Sequence, residues 1–151
     1  MIKNIFNRKD SDEILERLNK LTPDSQPLWG QMNVSRMLAH CNVTYELVYE
    51  NKHPRPGPFM RLILRLLVKK KVVSDAPYKK NNPTAPVFKI TDDRDFETEK
   101  ARLSDYIVRT RELGEEHFDG KESVSFGKLS KDEWNNMFYK HLDHHFRQFG
   151  V

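Results

Sequence analysis

From Ser130 to Gly150 the chain can hardly form anything but one helix, and that helix constrains the rest of the fold. Ser130 and Glu133 stand three apart as a capping box, and Leu129 and Trp134 occupy the two hydrophobic-staple positions. Gly150 suits the stop. At about 100° per residue, Trp134, Phe138, His141, His145 and Phe149 fall on one face. Two histidines on an apolar face are unusual, because each ring carries nitrogens that need partners once buried. The His-x-x-x-His spacing lets both imidazoles reach one metal ion, which would satisfy them together. The alternative is a solvated pair facing the helix dipole. His144 lies about 100° around the helix from His145 and points elsewhere, exposed or supporting its neighbour.

The remaining elements are also helical. Ile14, Leu15, Leu18 and Leu21 make a stripe over a first helix from about Asp10 to Leu21, with Asp10 and Glu13 as its cap and Thr22-Pro23 as its end. A second helix runs from Asn33 or Val34 to Glu50, burying Val34, Met37, Leu38, Cys41, Leu47 and Val48. His40 lies beside that face, aligned with Met37, Thr44 and Leu47; alone it reads as a core histidine bonded to a backbone carbonyl. Pro54, Pro56, Gly57 and Pro58 break the chain. A short third helix, Phe59 to about Lys71, has Phe59, Leu62, Ile63, Leu66 and Leu67 in one row and a basic opposite face; it is expected to pack onto the bundle, with a membrane-surface helix as the alternative. Val72 to Thr91, with Pro77, Pro83 and Pro86, reads as a long irregular crossover able to wrap over a pocket. A fourth long stripe, Phe96, Leu103, Ile107 and Leu113, runs from about Asp93 to His117. Asp119 to Gly127 suggests a short extended piece. The chain thus reads as all-α, a single domain over residues 1–151.

Composition narrows the function classes. At 37% hydrophobic and 32% charged residues, the chain is polar but globular. Its most apolar stretch, Phe59 to Val68, is interrupted by Arg61 and Arg65 and falls short of the ~20 residues of a membrane span. One cysteine excludes an intramolecular disulfide framework. No signal-peptide pattern follows Met1, so the expected compartment is cytoplasmic. The net charge of +4 concentrates only at Lys69-Lys70-Lys71 and Lys79-Lys80, without a base-reading motif. The expectation is therefore no nucleic-acid and no membrane partner. Cys41 follows His40 directly but points about 100° away from it, so it reads as a buried, inert thiol.

Trp29-Gly30-Gln31-Met32, Met37-Leu38-Ala39-His40 and the closing His145-Phe146-Arg147-Gln148 together resemble the DinB/YfiT-like superfamily of metal-dependent enzymes. The closer likeness is to a branch with a Trp-Gly turn before its ligand helix and a histidine-rich C-terminal helix. The resemblance spans nearly the whole chain, with no support from Lys52 to Pro86. It implies a four-helix bundle with a long crossover, here carrying the extra short helix. It also implies a divalent metal held by His40, His141 and His145. Zinc or nickel suits an all-histidine set, with iron or manganese also compatible.

The expected function is a metal-dependent enzyme, a thiol-conjugating transferase or a hydrolase acting on a small electrophile, with a low-molecular-weight thiol such as bacillithiol or mycothiol as co-substrate. A non-catalytic metal- or ligand-binding bundle is the alternative. A homodimer is compatible with either. Gln148, one turn beyond His145, is a candidate to orient a ligand or substrate.

Overall fold

Apolar residues at helical spacing, closed off by proline and glycine, give four long helices: α1 (Arg8–Lys20), α2 (Val34–Tyr49), α5 (Phe96–Phe118) and α6 (Lys131–Gln148). The computed structural model describes residues 2–151. Between α2 and α5 lie α3 (Pro58–Ile63), a π-helical turn at Leu64–Val68, α4 (Lys69–Val73) and a 3-10 turn at Pro86–Phe88. The fold is all-α apart from a two-stranded hairpin, in which β1 (Glu122–Ser123) pairs antiparallel with β2 (Gly127–Lys128). Among the described residues no helix is long and apolar enough to cross a membrane.

α2 is the central rod. It packs against both α5 and α6, and every residue from Met37 to Glu46 is buried. Its polar side chains therefore need partners inside the protein. On the α5 side, Asn42 donates to the Glu99 backbone and carboxylate, and Arg102 bridges Glu46 and Glu99. On the α6 side lie His40 and Thr44. The apolar core joins Met37, Leu38, Cys41 and Tyr45 of α2 to Leu103 and Ile107 of α5 and to Trp134, Phe138, Leu142 and Phe146 of α6.

The capping box forms at the start of α6 as expected, with Ser130 accepting from Glu133 N and the Glu133 side chain accepting from Ser130 N. The start of α1 differs. Asn7 is the N-cap, accepting from Lys9 N, while Asp10 accepts from the Asn4 backbone and Glu13 pairs with Lys3. Asp10 is thus used by the incoming chain rather than by the helix. α5 begins later than expected, at Phe96 with Asp95 as cap, and is broken at Gly114, whose φ of 74° no helix allows.

The third helix holds the largest departure. It continues to Val73, and its predicted stripe faces outward: Phe59 is 76% exposed, Leu66 71% and Leu67 67%. The row that packs is Leu64, Val68, Val72 and Val73, displaced from the predicted one. The π-helical turn adds a residue to the repeat and re-aims the side chains that follow it.

Candidate metal centre

The site is made where α2 and α6 lie side by side. His40 projects from the middle of α2, and His141 and His145 project from successive turns of α6. Each of the three offers a ring nitrogen, and these atoms all lie within 4.8 Å of one another. His40 Nε2 and His141 Nε2 are 2.9 Å apart. His40 and His145 are buried and His141 is nearly so. Cooperation between residues 101 positions apart in the chain is thus produced by packing two capped helices in register.

The outer nitrogens are tied off. His40 Nδ1 lies 2.8 Å from the Phe88 carbonyl. A carbonyl only accepts, so that nitrogen carries the proton and Nε2 keeps its lone pair. His145 Nδ1 lies 2.8 Å from Gln148 Oε1. The Gln148 amide is itself oriented by its NH₂ donating 2.7 Å to the Trp29 carbonyl, so its oxygen faces the ring. His145 therefore also donates from Nδ1 and keeps its Nε2 lone pair. His141 Nδ1 lies 2.9 Å from the Thr44 hydroxyl, which can donate or accept. With Thr44 accepting, all three Nε2 lone pairs face one another and call for a cation. With Thr44 donating, the proton moves to His141 Nε2 and bridges to His40. Thr44 thus permits both the cation-ready and the cation-free tautomer.

Burial keeps these rings neutral. Desolvation is the largest cause in each case: it lowers His40 against the opposing Phe88 hydrogen bond, and holds His141 well below the ordinary histidine range. His145 is pushed down to about 3 by burial and then by neighbouring His40, against its bond to Gln148. Neutral imidazoles with free lone pairs are the form that ligates metals.

The walls come from segments remote in sequence. Phe88 packs its ring against His40 and His141, so the crossover reaches the site through one residue. Leu28 N donates to the Gln148 carbonyl at 2.7 Å, closing the loop onto the end of α6. Gly30 has φ +81°, and a Cβ there would meet Gln148 Nε2 at 2.6 Å. The Trp-Gly turn therefore exists to let Gln148 through. His144 stays outside the cluster, half-buried, with Tyr78 and Trp29 5.6 and 6.0 Å away between ring centroids. Cys41 is buried against Met37, its thiol pushed up by desolvation, away from the site chemistry.

Sequence reasoning placed His40, His141 and His145 together and singled out Gln148. It expected a backbone carbonyl as partner of His40 but could not identify it as that of Phe88, which has no side-chain signature. It also passed over Thr44, whose position one turn after His40 on the same face was a usable signal.

Fold and site together define an all-α bundle in which two helices bring three neutral histidines to one point. The chain belongs to the family described as a protein of unknown function (DUF1569), which it matches over residues 3–150. No curated protein and no solved structure matches it.

Proposed function

We propose that this chain is a divalent-metal-dependent enzyme of the DinB/YfiT-like kind, with His40, His141 and His145 as the metal ligands. The observation that carries this reading is the convergence of three ring nitrogens whose outer partners are already tied off. Outer partners that fix tautomer and ring orientation are characteristic of metal-ligating histidines. The long crossover between α2 and α5, and the donation of ligands by the second and last long helices, agree with the superfamily pattern.

Zinc and nickel suit the all-nitrogen donor set best, with iron and manganese compatible. A cation held by three imidazoles leaves room for a water, thiol or substrate and supplies Lewis-acid activation at neutral pH. The chain's own residues supply the rest. Gln148 holds the His145 ring, the Phe88 carbonyl holds His40, and the Thr44 hydroxyl accepts a hydrogen bond from Nδ1 of His141. Phe88 walls the centre with aromatic surface. The proposed reaction is conjugation of a low-molecular-weight thiol to a small electrophile, or hydrolysis of that electrophile. A non-catalytic binding bundle is the second reading. It is favoured by one observation: among the described residues no carboxylate joins the histidine cluster to serve as a general base.

The test is turnover of a panel of electrophiles with bacillithiol, glutathione or water, using protein loaded with each metal. Activity that vanishes in His141→Ala together with the bound metal supports the enzyme. Metal-loaded protein that turns over nothing favours the binding bundle. Activity that survives in full in His141→Ala contradicts the mechanism.

A further inference from the structure

The outward face of residues 58–73 needs an explanation that the metal centre does not supply. Among the described residues, the exposed large hydrophobic side chains Phe59, Met60, Leu62, Leu66 and Leu67 lie together on this one segment, with only Leu28 and Leu113 elsewhere. Scattered exposed apolar residues are ordinary, but a contiguous row marks a surface that meets something.

The row is not a loosely attached helix waiting to turn inward. Leu64, Val68, Val72 and Val73 already fill the core side. The segment is also pinned by polar ties. Lys140 Nζ donates to the Lys71 and Ser74 carbonyls at 2.9 and 2.5 Å, and Asn136 donates to the Val73 carbonyl at 2.9 Å. Arg61 pairs with Glu122 at 2.6 Å and Lys69 with Glu133 at 2.8 Å. These ties fix which face looks out.

The charge around the row is one-sided. Residues 51–74 contain seven lysines and arginines and no acidic residue, against a net +4 for the whole chain, so the remainder is net acidic. Lys52, Arg61 and Lys69 have carboxylate partners. Arg55, Arg65, Lys70 and Lys71 are exposed and form no ion pair among the described residues.

We propose that this face docks on an anionic lipid surface, with the Phe59-to-Leu67 row entering the headgroup boundary and the unpaired cations at phosphate level. An apolar row beside a cationic rim is the pattern of a helix that lies in the plane of a membrane interface. A second copy of the chain is the poorer occupant, because facing two such surfaces would bring both sets of unpaired cations together. The proposed association is peripheral, since among the described residues no helix is long and apolar enough to cross. It reverses the expectation of no membrane partner, and it is independent of the metal centre.

The experiment is flotation of the full chain with vesicles of phosphatidylcholine alone and of phosphatidylcholine mixed with phosphatidylglycerol. The protein should float only with the anionic vesicles and be released as salt rises. Lys70→Ala and Lys71→Ala should each weaken partitioning about fivefold. Leu66→Ser should weaken it about tenfold or more, while its melting temperature stays at the wild-type value. Failure of the wild type to float, or equal flotation with neutral vesicles, overturns the proposal. So does a dimer that Leu66→Ser dissociates in a protein that binds no vesicles.

Discussion

The helix α6 and the segment 58–73 are both amphipathic, they touch each other, and they point their richest apolar faces in opposite directions. On α6 the row through Trp134, Phe138, Leu142 and Phe146 is buried, and the histidines inserted beside it each have a fixed partner. On 58–73 the row through Phe59, Leu66 and Leu67 faces solvent, and the arginines and lysines around it are only partly matched. Periodicity states that a face is apolar; it does not state what covers it. What separates the two cases is polar accounting. A face meant for the core brings partners for most of the polar groups it buries, with Asn42 Oδ1 and the Tyr45 hydroxyl as exceptions here, while the 58–73 face leaves several of its cations unpaired.

The comparison breaks most visibly in stability. Phe138→Ala should cost about 3–5 kcal/mol, because a fully buried ring leaves a cavity. Phe59→Ala should shift stability by no more than about 0.5 kcal/mol. Urea midpoints decide this, and an equal loss for Phe59→Ala would mean that the 58–73 face is covered in solution.

Cation binding comes next. At about 100 times its dissociation constant, a divalent ion bound only by the folded chain adds roughly 2.7 kcal/mol. Chelation should therefore lower the melting temperature yet leave the helical circular-dichroism spectrum intact, since the apolar core does not depend on the ion. Complete unfolding by chelator would contradict the idea that packing, and not metal, builds this fold.

The partners behind the ligands carry a smaller effect. Gln148→Ala and Thr44→Val should each weaken metal affinity about 10- to 100-fold, as removal of such partners does elsewhere. Gly30→Ala should act in the same direction, because its new Cβ would sit 2.6 Å from Gln148 Nε2 and displace the group that orients His145. Leu66→Ser should leave metal affinity unchanged. Calorimetric titration separates the two classes.

Acid should expose the histidine side of the comparison alone. His145 is held at about 3 in the folded chain, whereas an unfolded histidine titrates near ~6.5. Between those values only the unfolded chain takes up a proton, so cation-free protein should lose stability as pH falls through about 6.5. His141→Ala removes one such histidine and should flatten the slope. A melting temperature independent of pH from 7 to about 5 would show that the rings are not desolvated in solution.

Much of this was readable in the sequence because it is local. The Ser130–Glu133 cap fixes the start of α6, and four-residue spacing then places His141 and His145 on one face. The register of α2 put His40 beside the buried face, but only the family resemblance joined it to the other two histidines. What could not be read depends on contacts between distant segments. The Phe88 carbonyl belongs to a backbone atom in a stretch without periodicity. The outward face of 58–73 is set by contacts with α6 and the hairpin, and the π-helical turn at Leu64–Val68 shifts only the side chains that follow it in a pattern counted at α-helical spacing. At α1, Asn7 and Asp10 both carry cap chemistry, and the Asn4 backbone amide binding Asp10 decided between them. The break in α5 did leave a trace, as Gly114 sits inside an otherwise periodic run.

The central claim is that His40, His141 and His145 hold one divalent cation. The most direct measurement is the stoichiometry of zinc and nickel bound to untagged protein at neutral pH, with the wild type beside His40→Ala, His141→Ala, His145→Ala and His144→Ala. The account predicts one ion per chain in the wild type and in His144→Ala, and none in the other three. Wild-type protein that binds no ion, or an ion that persists when His40 and His141 are both replaced, would contradict it.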